Sequence, residues 1–195
     1  MTSRLHPGGL ASTLEEGPDM KTFGKYLGGG MPFGAFGGRR EIMAVYDPRH
    51  QGSLAHSGTF QNNTLMLNAG YAGLSKIFTP EVAKRLSQQG DTLRNNLLDV
   101  FRGTKFTVTG VGSLMCIHCT KTGVKAEEIR CRDDYFPQDD AQLKKLFWME
   151  MMDAGYWIHQ RGSIALNVVM DPAVMDDFVG AVREFCDRYR DLVSA

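Results

Sequence analysis

The chain has 195 residues, 43% of them hydrophobic and 23% charged, and a formal net charge of zero. Length and composition describe a folded protein of one domain, or one domain plus part of another, and not a disordered one. Zero net charge argues against a general nucleic-acid or polybasic membrane surface, no run approaches eighteen apolar residues, and Met1 to Gly9 has no signal-peptide core, so the expected location is cytoplasmic.

Residues 1–18 are polar and rich in turn formers, including Pro7-Gly8-Gly9 and Gly17-Pro18, and read as a loop. Asp19 to Phe23 predicts a short strand that delivers Lys25 to its end, and Pro32 to Phe36 a second. Arg39 to Tyr46 predicts a short helix, and 50–62 a loop. Asn63, a favoured cap type, opens a helix over 64–78 with Leu65, Leu67, Ala69, Ala72, Leu74 and Ile77 on a broad apolar face. Thr79-Pro80-Glu81 places threonine at the cap and proline at the first helical position of a helix running to about Phe101. Lys105–Thr109 and Ser113–Cys119 read as strands paired around Gly110-Val111-Gly112, followed by a charged irregular stretch over 121–139. A helix over 140–153 turns Leu143, Leu146, Phe147, Met149 and Met152 inward and stops at Gly155. Tyr156–His159 and Ile164–Val168 predict short strands. Asp171-Pro172 opens a last amphipathic helix through Val174, Phe178, Val182, Phe185 and Tyr189.

The densest chemical signal is Thr22 to Gly38, where Lys25 precedes six glycines within residues 28–38. Glycines allow positive φ and close backbone approach, so they mark a place built around the main chain. A lysine at such a place is a candidate amine nucleophile for a Schiff base with a carbonyl compound or pyridoxal phosphate; the alternative is a surface lysine beside a turn. The glycines match neither the GxGxxG nor the GxxxxGK[ST] order. His56-Ser57-Gly58-Thr59 offers hydroxyls, freed backbone N–H groups and a helix N-terminus just beyond, which suits a phosphate; the alternative is a capped loop. Arg161 precedes a glycine in a strand-connecting loop, where it either forks a substrate carboxylate or stays solvated.

Cys116 and Cys119 have CxxC spacing. On a strand, however, residues three apart face opposite sides, and Cys131 and Cys186 do not make a second ligand pair, so interior thiols are expected in place of a metal site. The five histidines show no ligand spacing. Asp133-Asp134 and Asp139-Asp140 read as solvated charges and a helix cap.

Residues 18–43 resemble the active-site lysine region of class III pyridoxal-phosphate-dependent aminotransferases, most closely the glutamate-1-semialdehyde 2,1-aminomutase branch. The resemblance extends over essentially the whole chain but reaches only the C-terminal part of that family. It implies an α/β fold, the C-terminal part of a fold type I transferase. Residues 1–78 would be a remnant of the large cofactor-binding domain and 79–195 the small C-terminal α/β domain. It implies that Lys25 carries pyridoxal 5'-phosphate as a Schiff base, and that Gly58 and Thr59 contact the cofactor phosphate in the neighbouring subunit of a dimer. Some amino-acid-specific relatives place an arginine in the region of Arg161. The activity implied is transfer or migration of an amino group on a small amino acid or amino ketone.

Met1-Thr2-Ser3-Arg4 resembles the continuation of the family's Asp-Glu-Val-Met-Thr-Ser-Arg strand end. The aspartate that pairs with the pyridine nitrogen is therefore expected upstream, together with the phosphate loop, the ring-stacking aromatic and the N-terminal substrate segment. Three readings follow: the C-terminal portion of a class III enzyme (a fragment or one half of a split enzyme), a non-catalytic remnant that pairs with a longer homologue, or a minimal Schiff-base enzyme.

Overall fold

The computed structural model of the protein describes residues 2–6 and 8–195. Met1 and Pro7, part of the expected N-terminal loop, lie outside the described residues. The chain divides into two compact units, Met1–Ala83 and Lys84–Ala195. The rest of the expected N-terminal loop contains single-turn 3-10 segments at Thr2–Arg4 and Leu10–Thr13.

In the first unit β1 (Met20–Gly24) and β2 (Gly34–Gly38) form an antiparallel pair, with Met20 opposite Gly38 and Gly24 opposite Gly34. The second strand lies two residues beyond its expected position. Pro32 has no N–H to give a ladder, and the pairing continues as far as Arg39, whose N–H donates to Asp19 O at 2.9 Å while its guanidinium pairs with the Asp19 carboxylate at 2.9 Å. The connection between the strands is a 3-10 turn at Lys25–Gly28 closed by Gly29 in the left-handed region (φ 62), whose N–H donates to Tyr26 O. Helix α1 (Arg40–Met43) runs into a 3-10 turn at Ala44–Tyr46. Phe36, Tyr46 and His56 then meet edge to face, with centroids 5.1 to 5.6 Å apart.

Helix α2 (Thr64–Ala72) starts as expected: Asn63 Oδ1 accepts from Met66 N–H at 3.2 Å. It does not run unbroken to 78. From Gly73 to Ile77 the chain is π-helical, and Phe78 N–H reaches back to Gly73 O at 2.8 Å. Ser75 Oγ donates to Tyr71 O at 2.6 Å, and such a back-bond competes with the backbone ladder. The apolar face of this helix is at the surface of its unit: Leu65, Leu67, Leu74 and Ile77 are all exposed, and Gly70 is the buried residue of α2.

The second unit holds the apolar core. Helix α3 (Pro80–Val100) follows its predicted start and is followed by Gly103 with φ 77. Strands β3 (Phe106–Val111) and β4 (Leu114–Cys119) pair as an antiparallel hairpin across Gly112-Ser113, and β5 (Ser163–Ala165) adds to the other edge of β4, giving the order β3-β4-β5. Helices α4 (Ala141–Asp153) and α5 (Pro172–Arg188) are capped by Asp140 and Asp171 as expected, and α6 (Arg190–Val193) ends the fold. Phe101, Phe106, Phe147 and Phe185 form one aromatic cluster with centroids 5.1 to 6.4 Å apart. Leu97, Val108, Ile117 and Val182 close around it, all at most 1% exposed.

Some expected details differ. On α4 the buried positions are Leu143, Phe147 and Met151, a strict four-residue spacing, whereas Met149 is 53% exposed. On α5 Met175 is buried and Val174 exposed. Tyr156–His159 is not a strand, because its backbone groups are already engaged: Tyr156 N–H donates to Met151 O at 2.8 Å and Trp148 Nε1 to Ile158 O at 3.1 Å. β5 ends at Ala165, and just beyond it Asn167 Oδ1 accepts from Val169 N–H at 3.0 Å to form a turn in place of a longer strand. Among the described residues, no helix is long and apolar enough to cross a membrane.

Leu97→Ala empties a site with no exposure and is expected to destabilise the second unit by about 2–5 kcal/mol, read by urea unfolding followed through Trp148 and Trp157 fluorescence.

Candidate active site

Lys25 stands where β1 ends and the 3-10 turn begins. Its backbone is left-handed, φ 58, and among the described residues only Asn62 shares a positive φ without being glycine. A side-chain-bearing residue in that region is strained, and such strain persists only where the surroundings impose it. The surroundings here are backbone. A Cβ on Gly70 of α2 would lie 2.4 Å from Leu27 O, and one on Gly29 would lie 2.3 Å from Ala69 O. The Lys25 side chain is exposed, and its amine makes no hydrogen bond or ion pair to the described residues.

Gly58 and Thr59 lie in the same unit, in the loop before α2. Gln61 N–H donates to Gly58 O at 3.0 Å, and Gln61 Nε2 meets His56 Nε2 at 3.1 Å. Asn62 at φ 53 then leads into the Asn63 cap. Thr59 is exposed, close before a nine-residue helix whose N-terminus carries a partial positive charge. No hydrogen bond joins Thr59 to Lys25.

Arg161 belongs to the second unit, where its backbone is tied to β4. Ile117 N–H donates to Gly162 O at 2.8 Å, Gly162 has φ 86, and a Cβ there would lie 2.0 Å from Ile117 O. The Cys116 thiol donates to Arg161 O at 3.5 Å. The exposed guanidinium lines a cavity of about 730 Å³ together with Arg132, Tyr135, Asp139 and Lys144. Arg132 stacks over Phe136 at 3.6 Å, and Lys144 pairs with Asp139. Asp139 is thus a largely buried ion-pair partner and not the solvated charge expected of it. Arg132 and Lys144 gave no sequence signal, since they fall within or beyond an irregular charged stretch without period.

The sheet face toward Tyr135 is polar. His118 is 4% exposed, shares a 2.8 Å hydrogen bond between Nε2 and the Thr109 hydroxyl, and packs against the Tyr135 ring at 4.4 Å. Its Nδ1 has no partner. Burial, reinforced by Lys144, lowers its pKa to about 4. Cys116 and Cys119 face opposite sides of β4, as expected. Cys119 is fully buried, and its thiol is pushed up to about 12 by burial and by Asp140, so it stays protonated. Among the described residues no group of three or more His, Cys, Asp or Glu side chains could hold a metal ion.

The fold is that of a pyridoxal-phosphate-dependent fold type I transferase. It superimposes with a TM-score of 0.91 and 41% identity on the crystal structure of a beta-phenylalanine aminotransferase from Variovorax paradoxus, covering 100% of this chain and 44% of that one. The aminotransferase class-III family profile matches residues 10–190, and the chain belongs to that family, whose members are pyridoxal-phosphate dependent. An uncharacterized aminotransferase from Schizosaccharomyces pombe is 45% identical over 99% of this chain and 43% of its own length. A beta-phenylalanine transaminase from Variovorax paradoxus is 43% identical over 95% and 42%. A glutamate-1-semialdehyde 2,1-aminomutase from Acetivibrio thermocellus is 36% identical over 67% and 30%. The chain therefore spans well under half the length of these relatives.

The buried histidine has a measurable consequence. Unfolded, His118 titrates near 6.5; folded, it titrates near 4. Between those values the unfolded chain holds the extra proton, so stability present above pH 6.5 is lost as pH falls toward 4. From pH 7 to pH 5 the expected loss from this group is about 2 kcal/mol. Urea unfolding of the parent and His118→Gln at both pH values should show a pH dependence smaller by about that amount in the variant; an unchanged dependence would remove His118 as its source.

Proposed function

We propose that the chain is the C-terminal portion of a transaminase, with residues 1–78 contributing to the large cofactor-binding domain and 79–195 forming the small C-terminal domain. Lys25 is the residue that would hold pyridoxal phosphate through its Nζ. Gly58 and Thr59 would hold the phosphate through a hydroxyl and backbone N–H groups, in the site of a neighbouring subunit of a homodimer. Arg161 would fork the substrate carboxylate. When bound, the cofactor ring supplies an electron sink for charge that develops at the substrate carbon bearing the amino group. Lys25 Nζ would serve as the base that takes and returns the proton at that carbon.

The single observation that carries this reading is the strained, left-handed Lys25 at the end of β1, with its side chain exposed and its amine without a partner among the described residues. The residues suit the group in other respects too: an exposed hydroxyl stands just before a capped helix N-terminus, and the exposed Arg161 guanidinium lines a cavity shared with Arg132, Asp139 and Lys144. Transamination is favoured over amino migration because the relatives at 43–45% identity over nearly the whole chain are transaminases, whereas the aminomutase matches at 36% over two-thirds. By analogy with the Variovorax enzyme, the substrate would be a small amino acid, a β-amino acid with an aryl group being the first to assay. The expected compartment is the cytoplasm.

A second reading is a partner chain: a remnant or split half that pairs with a longer homologue. The exposed apolar side chains of α2, from Leu65 to Ile77, favour it as surface awaiting a cover.

Both readings meet in one titration. Pyridoxal phosphate is added to the protein, an absorbance band is recorded, and the adduct is reduced with borohydride and mapped by peptide mass. We expect saturable labelling at Lys25 that Lys25→Ala abolishes, and a loss of about 10²–10⁴-fold in transaminase turnover wherever the chain is assembled into an active enzyme. Labelling spread over many lysines and unaffected by Lys25→Ala would overturn the assignment. A band that appears only after mixing with a chain carrying the remainder of a relative would favour the split form.

A further inference from the structure

We infer that Gly70 of α2 and Gly29 of the strand-connecting loop are positioning residues for Lys25, holding its backbone left-handed through direct main-chain contact. This deepens the proposed function and rests on Lys25 as the cofactor-holding residue.

Lys25 begins a turn only four residues long, and that turn is gripped at both ends. At its start, Gly24 lies opposite Gly34 in the β1–β2 ladder, which fixes the strand side. At its far end, Leu27, Gly28 and Gly29 lie against α2 with no side chain in between. A Cβ added to Gly70 would fall 2.4 Å from Leu27 O and 3.6 Å from Gly28 Cα. One added to Gly29 would fall 2.3 Å from Ala69 O, 2.4 Å from Ala69 C and 2.9 Å from Gly70 N. These distances are well inside van der Waals contact, and the atoms met are backbone, which cannot rotate away. Gly70 is also the one residue of α2 that is fully buried, and it is buried at the contact with the lysine turn.

A turn held by side chains would have room to relax its strained residue, whereas a turn clamped between a ladder and a helix backbone has little. Adding a methyl group at Gly70 would force the turn back by about 1 Å. Since the turn begins with Lys25, that retreat reaches the residue's φ and the origin of its side chain. Misplacement on this scale is enough to lower a covalent or proton-transfer step by about two orders of magnitude. Alanine is otherwise the better helix former, so Gly70→Ala should leave α2 itself intact.

The test compares Gly70→Ala and Gly29→Ala with two controls in the same unit. Gly37 of β2 has nothing within 4 Å of an added Cβ, so Gly37→Ala removes a glycine without a clash. Tyr46→Ala loosens the Phe36–Tyr46–His56 cluster and lowers stability away from the Leu27 contact. Pyridoxal phosphate occupancy at Lys25 is measured by borohydride trapping and peptide mass, and the Lys25 backbone is read from its Cα chemical shift, which reports φ without any cofactor. Gly70→Ala and Gly29→Ala should each bind at Lys25 at least tenfold more weakly and move the Lys25 shift out of the left-handed range, with Gly37→Ala within twofold of the parent. The inference is overturned if Gly70→Ala keeps both occupancy and shift, or if Tyr46→Ala, at the same loss of Tm, weakens Lys25 as much. If the parent shows no specific labelling at Lys25, either alone or mixed with a chain carrying the remainder of a relative, the cofactor reading falls, and the Cα shift decides the positioning claim alone.

Discussion

Backbone lying directly on backbone is the constraint on which the functional geometry of both units depends. In the first, the Leu27 carbonyl meets Gly70; in the second, the Ile117 carbonyl meets Gly162 and the Gly112 carbonyl meets Gly90, each closer than any Cβ would allow. Gly162 is the residue after Arg161, and the contact near Lys25 begins two residues on, at Leu27. Fixing the main chain and leaving the side chain exposed suits a residue that must reach a ligand, because the side chain's origin is set while its tip stays free. A contact of this kind tolerates no substitution that adds bulk, whereas packing through flexible side chains can often adjust.

The two units differ sharply in what holds them together. From Leu86 to Val193 the second unit buries a continuous set of leucine, isoleucine, valine, methionine and phenylalanine side chains around its aromatic cluster. At roughly 1.5–3 kcal/mol for each large apolar side chain removed from water, this is ample to offset the ordering of the chain. The first unit through Phe78 buries only glycines among its described residues, and leaves Phe23, Phe60, Leu65, Tyr71 and Ile77 exposed. Its coherence rests on the β1–β2 ladder, the edge-to-face aromatic contacts and the glycine approaches. On the proposed reading those open apolar residues are the ones that a neighbouring subunit or the remainder of the enzyme would cover.

Much of this was legible in the sequence, and the rest was not for identifiable reasons. Caps were readable because they are local: Asn63, Asp140 and Asp171 each accept from the backbone N–H three residues on. The hairpin of β3 and β4 was readable from alternation and its glycines, and the opposite orientations of Cys116 and Cys119 followed from strand period. What failed was tertiary. Tyr156–His159 has strand composition, yet its groups are claimed by α4. Met149 and Met151 are chemically alike, and only the direction of the sheet decides which is inside. The Lys25 motif announced a site built on main chain, but nothing in residues 22–38 indicated that α2, some forty residues later, supplies the other wall. Arg132 and Lys144 join the Arg161 cavity across separations that no local pattern reports.

The structure of α2 becomes intelligible from the same wall. A helix meant only to be stable would not carry glycine at 70, which weakens an interior position by about 1 kcal/mol relative to alanine. Nor would it pass at Gly73 into a five-residue π segment. The glycine at 70 follows if the helix must lie against a backbone turn. Gly70 makes the approach possible, whereas Gly73, whose added Cβ would stand 3.7 Å from Gly29 Cα in ordinary van der Waals contact, is not required by it. The helix thus gives up intrinsic propensity for closeness. Its apolar outer face then becomes a matter for whatever packs on it, while its inner face serves the lysine.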